Sequence, residues 1–220
     1  MSDSIKDLMV QGGASWVLWL LVGVSVVSVA IMLERARLFW SQRDSLGALV
    51  NDLHRLLGDS NRHGAAARLT RSRNAEATVV LAGLSQWDHG TAAVQEAMAA
   101  ATGLARARLE RRLLVLGTVG NNAPFVGLLG TVIGVLGAFD ALGQAGTAEL
   151  APEHVMAAIA ESLVATAVGL LVAIPCVMAF NYFQALSAAA VSNAETLGHV
   201  LMTHLESASR ADVHAPRGGQ

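Results

Sequence analysis

Residues 16–33 form an apolar run of eighteen residues without a charge. At about 1.5 Å per residue, a helix of that length nearly crosses a hydrocarbon core of about 30 Å. The run ends in Glu34-Arg35 rather than at a small-residue cleavage site, so it reads as a retained span and not as a signal peptide. Two more apolar runs follow, at residues 113–142 and 155–182, interrupted only by Gly, by Pro124 and Pro175, and by isolated polar residues. Both exceed one bilayer thickness, which predicts tilt or continuation as helix beyond the membrane. The expected fold is an all-α membrane protein with three transmembrane helices, spans two and three extending into a cytoplasmic helical domain.

The intervening segment, residues 34–112, alternates Ala-rich and Leu-rich stretches with charges and contains no Pro. Its spacing predicts helices over residues 51–57, 65–69 and 92–114. Gly58-Asp59-Ser60-Asn61 is a turn signal, and Gly90-Thr91 marks the start of the long helix feeding span two. Beyond span three, apolar positions Leu186, Ala190, Leu197, Val200, Leu201 and Leu205 predict an amphipathic helix over residues 183–209. Residues 210–220, with Pro216 and two Gly, read as a disordered tail.

Charge then orients the spans. Of fifteen basic residues, twelve are Arg lying within residues 34–112, whereas residues 143–154 carry two Glu and no Lys or Arg. The positive-inside rule places the short N-terminal segment, residues 1–15, and the linker 143–154 outside. The basic segment and the C-terminus then lie inside: three spans, N-out and C-in.

Composition supports packed helices over a barrel. Hydrophobic residues make up 53%, aromatics only 5%, and there are 21 Gly, at a mean hydropathy of +0.48; small residues let membrane helices approach closely. Gly117, Gly120, Ala123, Gly127, Gly130, Gly134, Gly137 and Ala141 fall on one stripe of span two, a close-packing face. A net charge of -2 offers nothing to nucleic acid. The lone Cys176 excludes an internal disulfide and reads as a packing residue. No nucleophile–base arrangement, phosphate loop or HExxH pattern appears, so no enzyme, cofactor or metal site is expected, and His154 reads as an interfacial residue.

Against that background Glu161 stands out. A carboxylate near a bilayer centre costs about 2.5–3.5 kcal/mol and faces a bundle interior or a water-filled cavity. Six residues beyond Val155, it lies about 9 Å in from the outer end of span three. Thr131 and Thr166 each lie eleven residues from the outer ends of spans two and three, so both reach about 16 Å depth and can share a level. Threonine in a membrane helix commonly bonds its own backbone; with Glu161 on the same helix, a polar file for protons is the stronger reading. Asn121-Asn122 and Asn181-Tyr182 mark the inner span ends, where Asn side chains can satisfy carbonyls freed by Pro124 and Pro175. Asp140 receives no role.

The stretch Ala123-Pro124-Phe125-Val126-Gly127-Leu128-Leu129-Gly130-Thr131-Val132, followed by Ile159-Ala160-Glu161-Ser162-Leu163-Val164-Ala165-Thr166-Ala167-Val168-Gly169-Leu170 and Ala173-Ile174-Pro175, resembles the MotA/TolQ/ExbB proton channel family. The resemblance implies that Glu161, Thr131 and Thr166 occupy the family's proton-pathway positions. It implies a homopentamer around an ExbD/TolR-like single-span partner that carries an essential Asp, with a TonB- or TolA-like protein beyond. Protons would be the transported ion, and the work would be TonB-dependent import or Tol-Pal function. Gliding motility and polymer export use the same kind of motor, and a non-conducting membrane scaffold is the alternative of another class. Three spans set the chain apart from the four-span flagellar stator.

Overall fold

A computed structural model describes residues 15–41, 45–72, 74–144 and 152–214. Among them lie seven α-helices, a single-turn 3-10 helix and no strand. We number the helices α1 (Ser15–Ser41), α2 (Leu46–Gly58), α3 (Arg62–Arg71), α4 (Ala75–Leu84), α5 (Thr91–Glu110), α6 (Leu113–Gln144) and α7 (Pro152–His214). Three of them, α1, α6 and α7, are long and apolar enough to cross a membrane. The chain divides into two units, one of Met1–Glu34 with Arg112–Tyr182 and one of Arg35–Arg111 with Phe183–Gln220.

In the first unit the buried side chains are few and small in volume for so apolar a set of helices. Val17, Leu21, Ala123, Ile133, Val172, Ala173 and Cys176 form its core. Large apolar residues such as Trp19, Phe125, Phe139 and Leu171 stay exposed. A helix apolar on its outside as well as its inside is what a lipid environment or a protein neighbour covers.

The second unit is built as soluble helices are. Leu49, Leu53 and Leu57 recur every four residues on α2, and Leu197, Leu201 and Leu205 do the same on α7. At 100° per residue these positions share one face of each helix, and they meet in one core with Leu69, Ala77, Val80, Leu84 and Val94. The expected turn is present: the Asn61 side chain caps α3 by accepting from the Gly64 amide at 2.8 Å. Gly90 has φ +88, a backbone state open to glycine, and it sets the N-terminus of α5 at Thr91.

Three expectations change. The helix foreseen over residues 92–114 is broken after Glu110, because Arg112 has φ 67 and the chain restarts at Leu113. A short apolar helix, α4, and the 3-10 turn Trp87–His89 fill a stretch to which no element was assigned. Helix α7 runs as far as His214, so only residues 215–220 of the expected tail lie outside the described residues. Residues 1–14 and 145–151, most of the two segments expected on the outer side, also lie outside them.

Candidate functional site

Helices α6 and α7 approach closely because glycine leaves no side chain in the way. A Cβ built on Gly127 would lie 2.8 Å from the Ala165 carbonyl oxygen and 2.9 Å from the Thr166 Cα. One built on Gly169, from the other side, would lie 2.7 Å from the Ala123 carbonyl oxygen. Those are backbone atoms, which cannot swing away. The contact extends along the pair, with Gly117 against Phe180, Gly120 against Val177 and Gly134 against Ser162. A Cβ built on Gly130 would lie 2.7 Å from the Ala165 Cβ and 3.2 Å from the Cγ1 of Val17 on α1. Gly137, counted in the same stripe, has no atom within 4 Å of such a Cβ. Gly169 was not singled out for packing from the sequence; its place opposite Gly127 in an antiparallel pair is the signal that could have found it.

This register fixes the two threonines. Each step outward on α6 is matched by a step back along α7, so Thr131 and Thr166 fall on one level. Their bonding differs. The Thr131 hydroxyl donates to the Leu128 carbonyl at 2.7 Å, satisfied by its own helix. The Thr166 hydroxyl is buried and has no hydrogen-bond partner. A buried hydroxyl without a partner is costly, roughly 1–3 kcal/mol, and therefore marks where a water molecule or another chain's polar group would be held. Ser162, buried one turn outward, gives its hydroxyl to the Ile159 carbonyl at 2.7 Å.

Glu161 lies beyond them on α7, exposed, and accepts a hydrogen bond from the Ser15 hydroxyl at 3.4 Å. Ser15 directly precedes the apolar run of α1, so measured against that helix Glu161 stands at the outer edge of the span. Measured along α7 it is six residues past Val155. Thr166 lies about a turn and a half further along α7, so the threonine level is deeper in the span than Glu161.

The prolines lie inside α6 and α7 without ending either helix. The Asn122 amide does return to the backbone, but it donates to the Thr118 carbonyl at 2.8 Å and not to Gly120, whose carbonyl Pro124 frees. Cys176 is buried, as expected of a packing residue. Among the described residues no group of three or more His, Cys, Asp or Glu could hold a metal ion.

Comparison with known proteins adds a second line of observation. Residues 71–196 match the model of the MotA/TolQ/ExbB proton channel family. The chain is similar to the biopolymer transport protein ExbB of Xanthomonas campestris, 41% identical over 103 residues, 47% of this chain and 40% of that protein. It is similar to the Tol-Pal system protein TolQ of Pseudomonas aeruginosa, 46% identical over 94 residues, 43% of this chain and 40% of that one. With the ExbB-like 3 biopolymer transport protein of Synechocystis it shares 33% identity over 168 residues, 76% of this chain and 79% of the relative. The matched part spans about 40% of the length of the first two relatives.

Proposed function

Since this chain belongs to the MotA/TolQ/ExbB proton channel family, we propose that it is the channel subunit of an inner-membrane motor, passing protons from the periplasm by way of Glu161 and the Thr131/Thr166 level. The observation that carries the reading is the Thr166 hydroxyl, buried and without a hydrogen-bond partner, on the same level as Thr131 and on a residue whose Cα faces Gly127 of α6. Glu161 collects protons at the mouth; the hydroxyl level hands them on through trapped water, since a hydroxyl both donates and accepts. One proton crossing 100 mV releases about 2.3 kcal/mol, enough to bias a conformational step.

One carboxylate at the mouth does not complete a device. The acid that takes up and releases the working proton belongs to an ExbD/TolR-like single-span partner, around which the subunits assemble as a homopentamer. A TonB- or TolA-like protein receives the work. The relatives' names divide between biopolymer transport and the Tol-Pal system, and TonB-dependent import or a Tol-Pal role is the process proposed here. The N-terminus lies in the periplasm and the C-terminus in the cytoplasm.

A scaffold reading draws on the exposure of Glu161 and its place at the outer edge, where it could pair with a partner's cation instead of conducting. Proton flux into liposomes holding the chain with its partner separates the two. The channel gives flux that Glu161→Gln reduces at least tenfold and Thr166→Val reduces further. No flux under any gradient, or full in-cell activity of both Glu161→Gln and Glu161→Ala, would refute the channel reading.

A further inference from the structure

We propose that His54 on α2 and His204 on α7, both in the second unit, form a two-histidine site for a divalent transition metal of the zinc class, which clips one helix to the other. The two residues stand 150 positions apart in sequence, so no motif announces them. The core brings them together. Leu53 and Leu57 on α2 and Leu201 and Leu205 on α7 are buried in one cluster, which fixes the helical turns from which the two rings project. His54 Nδ1 and His204 Nε2 are 3.1 Å apart. The ring centroids are 5.3 Å apart and the ring planes meet at 65°.

Two imidazole nitrogens bound to one tetrahedral ion, each at about 2.0–2.1 Å, are themselves about 3.3 Å apart, with centroids about 5.2 Å apart. The pair meets both spacings to within about 0.2 Å, so rotation of the rings admits the ion and the helices need not move. In the neutral pair one ring donates to the other. On binding, that ring keeps its proton on its other nitrogen, so both facing nitrogens offer lone pairs and no net proton is lost. Burial, and the charge of His54, hold the His204 pKa below its usual 6.5, which favours the neutral, ligating form near pH 7. His54 is exposed and His204 partly so, leaving room for water to complete the coordination. Imidazole suits Zn2+, Ni2+ and Cu2+ better than Mg2+ or Ca2+. The guanidinium of Arg55, next to His54, is directed to Asp52 at 3.3 Å. Two protein ligands are fewer than a structural zinc site uses, so the ion is held reversibly. The pair lies wholly in the second unit, and the inference stands apart from the proposed proton path.

The test is titration of Zn2+ alone into the full-length protein, purified in detergent without a histidine tag and stripped with a chelator. Calorimetry should show one ion bound per chain. Thermal unfolding should move upward with Zn2+ and return on addition of EDTA, as a ligand of the folded state requires. Mg2+ at the same concentration should do neither. His54→Gln and His204→Gln should each abolish the Zn2+-dependent shift, although Gln keeps a hydrogen-bonding group, whereas His63→Gln and His199→Gln should preserve it. The exposed position of His54 keeps the test decisive through His54→Gln if His204→Gln does not fold. Absence of Zn2+ binding, or a shift in His54→Gln equal to that of the wild type, would overturn the site and leave the two rings as a hydrogen-bonded contact only.

Discussion

Gly127 and Gly103 both lie inside α-helices, yet substitution at the two should act in opposite directions. At Gly127 a methyl group meets the Ala165 carbonyl oxygen and the Thr166 Cα within 3 Å. Gly127→Ala must therefore separate α6 from α7 and should cost about 1–3 kcal/mol. At Gly103 on α5 nothing lies within 4 Å, so Gly103→Ala gains helix propensity and should stabilise by up to about 1 kcal/mol. Thermal unfolding in one detergent followed by circular dichroism measures both, and equal shifts would contradict the close packing. The glycine stripe was legible in the sequence because its 100° periodicity needs no partner to be seen. The bonding of Thr166 was not: a threonine in an apolar run gives no sign of whether its hydroxyl returns to the helix, as Thr131 does, or stays open. The depth of Glu161 was read along α7 alone, and its relation to Ser15 depends on where α1 starts.

At the scale of elements, the junction between α5 and α6 shows how a helix is interrupted without glycine. Arg112 adopts φ 67, a left-handed state that costs a residue with a Cβ roughly 1–2 kcal/mol, and its guanidinium pairs with Glu34. Both partners are almost half exposed, so the pair is worth about 0–1 kcal/mol. Arg112→Gly trades one for the other and should leave stability within about 1 kcal/mol, whereas Arg112→Val loses the pair, keeps the strain and should cost about 2 kcal/mol. Denaturant titration of the two variants decides it; equal losses would place the strain elsewhere. The sequence hid this break because residues 92–114 carry a uniform helical pattern, and nothing local announces a left-handed arginine. Helix α4 was missed for the opposite reason: ten residues, mostly small and apolar, lack the polar face that makes a period visible.

Helix α2 meets the inward part of α7 through a pair of histidines. His54 Nδ1 and His204 Nε2 are 3.1 Å apart, one ring donating and the other accepting. Burial holds the His204 pKa below its usual 6.5, and the charge of His54 lowers it further. The unfolded chain therefore binds the proton more readily than the folded one. Above pH 6.5 both states are neutral and nothing is lost; as the pH falls through 6.5 toward the lower folded value, stability declines. Unfolding measured between pH 7.5 and 5.5 should show this decline, and His204→Gln should flatten it. An unchanged slope in the variant would assign the effect to another group.

For the molecule as a whole, the charge distribution along the chain predicts how it crosses the bilayer. In a Cys176→Ala background, single cysteines at Ser60, Ser207 and Thr147 report the sides. A membrane-impermeant maleimide added to spheroplasts should label Thr147→Cys and leave Ser60→Cys and Ser207→Cys unlabelled until the membrane is opened. The reverse pattern would invert the topology. The division into a lipid-fit bundle and a conventionally cored helical unit was legible because it follows from composition: charge-free runs in one, leucines spaced by four between charges in the other.

The interlock of Gly127 with Gly169 limits what motion a bundle of this kind can perform. Main-chain atoms of one span lie where a side chain on the next would have to stand, so α6 and α7 meet at backbone contact along the stripe. The nearest alternative fit lies a helical turn away, about 5.4 Å, and would have to break every contact of the stripe at once. Close packing of this kind favours movement of the two spans together over movement of one along the other. In the motor proposed above, a stroke would then be taken up between the α6–α7 pairs of neighbouring copies, or by the partner's helix.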